Sequence, residues 1–214
     1  MHEGHQGDGH SIPNKPMDTE TQAKLLSDKE ESEFNHHLAG FFVALGGAFI
    51  LLQGALRNRW SLTKYIWPAS FLLSGIFVFV WSDTELWPFG NRQWMEALQH
   101  KTFAILLLGL GCIEWLRLKG VLRTAWSGLV FPVLAIAGSV LLLFHQHESG
   151  MHGPNHMELM MRIQSQHFRY AAVGIGIGLT KGLAELGTRG QKVFGRMWPL
   201  LMVALGFLLM FYRE

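Results

Sequence analysis

The chain carries one cysteine in 214 residues, Cys112. An internal disulfide and any Cys-x-x-Cys metal site are thereby excluded. Charge is also scarce: only 16% of residues are Asp, Glu, Lys or Arg, against roughly a quarter in an ordinary soluble domain. No His-Glu-x-x-His, phosphate-binding loop, Gly-x-Ser-x-Gly or dinucleotide fingerprint occurs, so no catalytic residue is assigned. The polar start of the chain has no apolar core of a signal peptide. The N-terminus is therefore expected to be either processed or exported with the first span. The formal charge of +2 gives no reason to expect a nucleic-acid partner.

What is present is apolar and clumped. Hydrophobic residues make up 49% of the chain and gather in runs of about 20, the length that crosses the hydrocarbon core of a bilayer as a helix. Six spans are expected, at about Leu38 to Leu56, Tyr65 to Ser82, Thr102 to Leu118, Ser127 to Phe144, Phe168 to Leu186 and Met197 to Phe211. Backbone groups in lipid must be paired within their own segment, which makes these spans helices. The expected fold is an all-α, six-helix transmembrane bundle over 34–214, preceded by a polar, flexible tail over 1–33. That tail holds His2, His5 and His10, and its piece from Thr19 to Glu33 suits a surface helix.

Orientation follows from the basic residues. The turns after spans one, three and five carry Arg57, Arg59 and Lys64, then Arg117, Lys119 and Arg123, then Arg189, Lys192 and Arg196. The positive-inside rule makes these turns cytoplasmic and both termini periplasmic, in a bacterial inner membrane. All 11 histidines then fall on the periplasmic side. His36 and His37 precede span one, His100 precedes span three, His145 and His147 follow span four, and His152, His156 and His167 lead into span five. The segment 145–167 adds methionines. Imidazole with thioether is the ligand mixture that suits copper. A helix starting near Pro154 would place His156, Met160, Ile163 and His167 on one face. Glu33 and Glu96, each four residues before His37 or His100, are placed to orient those rings.

Other features read as architecture. Gly40, Ala44 and Ala48, and again Gly174, Gly178 and Gly182, form rows that let helices approach closely. The eight tryptophans fall near expected interfaces, including Trp67, Trp81, Trp126 and Trp198. Glu114 and Lys181 each lie 14 residues past a histidine, His100 or His167, and equal depth suggests a structural ion pair.

The patterns Phe34-Asn-His-His37, Ser82 to Gly90, Gln99-His-Lys101 and His145-Gln-His147 resemble the bacterial CopD-like copper-resistance inner-membrane proteins. The resemblance implies copper at the periplasmic face and implicates His36 or His37, His100, and His145 or His147. This chain departs in having six spans rather than more, which counts against an import function. Three readings stay open. The chain binds copper and sequesters it or passes it on, with a periplasmic copper chaperone or a larger membrane complex as partner. Alternatively it is an accessory subunit of a respiratory or copper-enzyme complex, or a carrier of haem b with two of these histidines as axial ligands.

Overall fold

The computed structural model describes residues 18–55, 62–82, 94–144, 156–187 and 189–213. Among them there is no strand. Helix α1 spans Thr19–Ala55, α2 Ile66–Trp81, α3 Trp94–Leu118, α4 Ser127–Leu142, α5 His156–Glu185 and α6 Gln191–Met210. A 3-10 turn, Thr63–Tyr65, leads into α2. Gly120 and Gly187 adopt φ of 72° and 66° just beyond α3 and α5. A left-handed glycine is the usual way to stop a helix, and the Val121 amide accordingly reaches back to the Leu116 carbonyl at 3.0 Å.

Among the described residues, three segments are long and apolar enough to cross a membrane: Gln22–Ala55, Thr63–Trp81 and Gln191–Met210. Helix α4 is apolar but has only 16 residues. Helices α3 and α5 are diluted by ionisable residues that the bundle buries, Glu114 and Lys181 among them. At ~1.5 Å per residue, the 37 residues of α1 exceed the thickness of a bilayer core. The expected surface helix at Thr19 to Glu33 and the first span are thus one unbroken helix. The boundary at 33 falls inside it. The stretch from His156 likewise runs without a break into the fifth apolar segment.

The helices close into a ring in which each packs on its neighbours in chain order and α6 returns to α1. The tightest pairs are α1 with α6, α2 with α3, and α4 with α5. Each pair has a contact of the same kind. A Cβ on Gly47 would lie 2.7 Å from the Pro199 carbonyl oxygen, one on Gly111 2.9 Å from that of Pro68, and one on Gly178 2.9 Å from that of Pro132. Only glycine permits such an approach. Gly40 and Ala44 take part as expected, both against Gly206, whereas Ala48 is exposed.

These contacts expose an internal repeat. Gly47 follows His36 by 11 residues, and Pro68 follows it by 32. The same two intervals separate His100 from Gly111 and Pro132, and His167 from Gly178 and Pro199. The ring is therefore three helix pairs in pseudo-threefold arrangement. The residue before each proline is aromatic, and the three aromatics meet. Trp67, Phe131 and Trp198 lie 5.7, 5.8 and 6.0 Å apart between ring centroids, at interplanar angles of 62–68°. All three are buried, and with Phe71, Leu110, Ile177 and Met202 they fill the middle of the ring. This corrects the interfacial reading of Trp67 and Trp198. Trp81 and Trp126, more than half exposed, keep positions that suit a headgroup layer.

Candidate functional site

One end of the ring gathers the ends of α2, α4 and α6 and the stretches of α1, α3 and α5 around His36, His100 and His167. The last carbonyls of a helix have no partner within it, and here the odd-numbered helices supply the donors. Nε2 of His37 donates to the Tyr212 carbonyl at 3.0 Å, and Nζ of Lys101 to the Phe79 carbonyl at 2.8 Å. Each donor follows its repeat histidine by one residue. The residues one before do the same for the even helix on the other side. Gln99 donates to the Phe144 carbonyl at 3.2 Å, and Gln166 to the Arg213 carbonyl at 2.8 Å. Tyr170 adds a bond to the Leu208 carbonyl at 3.2 Å.

His37 is therefore a helix-end donor. The carboxylate expected to orient it, Glu33, instead meets Arg213 at 3.5 Å and Lys29 at 3.9 Å. His36 has a different setting. Its Nδ1 donates to the Ser32 carbonyl at 2.8 Å, which puts the lone pair of the neutral ring on Nε2. A backbone carbonyl behind one nitrogen is how proteins orient a metal-ligating imidazole. The His36 ring stacks on Tyr212 at 3.9 Å and lies 6.1 Å from the His167 ring, with 24° between the two imidazole planes. His167 is 2% exposed and Tyr212 fully buried.

The structure thus brings together His36 and His167, from helices far apart in sequence. His100 takes the equivalent place at the start of α3, half-buried. Ile163 and His167 are buried on the inward face of α5, Met160 is half-buried beside them, and Met157 and Met161 face outward. The backbone of His156 opens α5. Its side chain, the side chain of Glu96, and His145, His147 and His152 lie outside the described residues. Among the described residues, no three His, Cys, Asp or Glu groups converge on a point that would hold an ion. Two imidazoles from α1 and α5 are what they contribute.

The opposite end carries a charge network. Arg117 donates to Glu114 at 2.9 Å and to Glu185 at 2.9 Å, and Lys181 bonds Glu185. Nζ of Lys181 also lies 4.8 Å from the centroid of Trp198. Glu114 and Lys181 are therefore joined through Arg117 and Glu185, not by a direct pair. Gly128, at the start of α4, backs onto the network. A Cβ there would lie 2.6 Å from a Glu185 oxygen. Sequence reading missed the roles of Arg117 and Glu185, although their spacing from Glu114 and Lys181, one helical turn, was a usable signal.

Comparison with protein-family models, with curated proteins and with solved structures returns no match for this chain.

Proposed function

We propose that this chain is a six-span bacterial inner-membrane protein, with both termini periplasmic, that binds copper at its histidine end and sequesters it or passes it to a partner. The pairing of His36 with His167, at repeat-equivalent positions on α1 and α5, is the observation that carries this reading. Tyr212 packs them from behind, and His36 has a carbonyl-fixed tautomer. His100 is the third equivalent. Further ligands would come from His145, His147, His152, His156 and Met160, because the chain from 145 to 155 links α4 to α5, the helix that carries His167. The six-span arrangement is supported by the outer surfaces of α3, α4 and α5, where Ile105, Leu116, Val133, Val140, Phe168 and Leu179 are exposed. The aromatic filling of the ring favours holding an ion at one face over passing it through the middle.

The test is metal analysis with an absorption spectrum on detergent-purified protein. Wild type is compared with His100→Ala/His167→Ala and with His37→Ala. Copper that is lost in the double variant and kept in His37→Ala supports the proposal. A Soret band transfers the same histidines to haem ligation. Neither metal nor haem leaves an accessory subunit as the better reading.

A further inference from the structure

The outer face of α6 differs in charge from the rest of its end of the bundle. Arg189, just before the helix, and Lys192 and Arg196 in its first two turns are all exposed. They make no ion pair or hydrogen bond among the described residues. Their neighbours at this end each have a local partner: Arg123 donates to the Gly120 carbonyl, Lys64 lies over the Tyr65 ring and Lys119 over that of Trp115. Neutralisation from within is not on offer either. Glu114 and Glu185 are the acids that α3 and α5 bring to this end, and both are committed to Arg117 and Lys181.

The repeat sharpens the point. The residues equivalent to Arg189, Lys192 and Arg196 are Asn58, Ser61 and Tyr65 in the first unit and Leu122, Ala125 and Leu129 in the second. The architecture is therefore built twice without cations at these places. From the cations inward, the same face of α6 is apolar and open: Met197, Leu200, Ala204 and Phe207 are all exposed. At 3.6 residues per turn, these positions share one stripe with Lys192 and Arg196. The ten steps from Met197 to Phe207 cover ~15 Å, half of a ~30 Å hydrocarbon core.

We infer that this face is a binding site for an anionic phospholipid. The phosphate group is held by Arg189, Lys192 and Arg196, and the acyl chains lie along Met197, Leu200, Ala204 and Phe207. The length of the apolar track matches one leaflet, and cations near a membrane surface attract anionic headgroups additively. The inference rests on α6 crossing a membrane and is independent of copper.

The experiment is native mass spectrometry of delipidated protein in detergent, titrated with phosphatidylglycerol or with phosphatidylcholine. Wild type is expected to retain phosphatidylglycerol roughly tenfold better, given three surface cations. Arg189→Gln/Lys192→Gln/Arg196→Gln should lose that preference, and Arg196→Gln alone should lose part of it. Lys64→Gln/Lys119→Gln/Arg123→Gln, with the same loss of charge at the same end, should keep it. Equal retention of the two lipids by wild type overturns the inference without any variant. So does an equal loss of preference in the control triple. Full competition by glycerol phosphate would show a free-anion site and remove the acyl track. A wild-type dimer dispersed by the α6 triple, with lipid retention unchanged, would make the face a protein interface instead.

Discussion

The two ends of this bundle are built from the same repeat and solve opposite problems. At the end with the Glu114–Arg117–Glu185–Lys181 network, four ionisable groups neutralise one another beneath an aromatic plug. At the other end, His36, His167 and Tyr212 stack side by side, and donors from α1, α3 and α5 close the carbonyl ends of α2, α4 and α6. The first end satisfies itself and is suited to locking helices together. The second brings two imidazoles from helices far apart in sequence into one aromatic stack. The buried charges of Glu114 and Lys181 are therefore consumed in holding helices together, and the proposed copper site rests on the repeat-equivalent histidines instead.

Substitutions can break that contrast, and the largest effect belongs to the locked end. Arg117→Met leaves Glu114 and Glu185 short of their shared partner. Removing one member of a buried ion network costs about 3–5 kcal/mol, so the melting temperature in detergent should fall steeply while copper per folded protein stays constant. An unchanged melting temperature would mean that the network is not a lock. The plug comes next. Trp67→Ala and Phe131→Ala should each cost on the order of 3–5 kcal/mol, as large-to-small changes at buried aromatics do. Trp198→Ala should cost more than either, because it also removes the ring beneath Lys181, a contact of about 0.5–2 kcal/mol. Equal loss in all three would show that Lys181 gains nothing from Trp198.

The smallest effects sharpen the histidine end. His37→Ala and Lys101→Ala each remove one donor from a helix-end carbonyl and should cost about 1 kcal/mol apiece. Similar values would agree with their equivalence in the repeat, and His37→Gln should recover part of the loss by restoring a donor. The split in function between neighbours is sharper still. His36→Ala should release copper and His37→Ala should retain it, as read by metal content of the folded protein. The reverse result would exchange the roles assigned to these two rings.

Much of this architecture could be read from composition. Each of the six apolar segments lies in a helix, since apolar runs of that length have few other solutions. The small residues at Gly40, Ala44 and Gly178 do sit where helices approach closely. The extents of α1 and α5 were harder to see, because polar residues outside a span carry no hydropathy signal even when the helix continues. Trp67 and Trp198 fall near the expected interfaces in sequence, but three aromatics meeting across the ring turn them inward. His37 and His36 could not be told apart locally. The difference lies in the interval of 11 to a glycine and 32 to a proline, shared with His100 and His167, which only becomes visible once the close contacts show which residues correspond. Glu114 and Lys181 share one charge network but meet through Arg117 and Glu185, because equal depth does not fix which helix faces touch.

The account stands on these two ends lying on opposite sides of a bilayer. The direct measurement is cysteine labelling in sealed cells, in a Cys112→Ala background, with single cysteines at Met157→Cys on the histidine end and Thr124→Cys on the charged end. The expected result is that a membrane-impermeant maleimide reaches Met157→Cys in intact spheroplasts and Thr124→Cys only after lysis. Labelling of both positions from the same side would contradict the six-span arrangement, and with it the placement of copper at a periplasmic face.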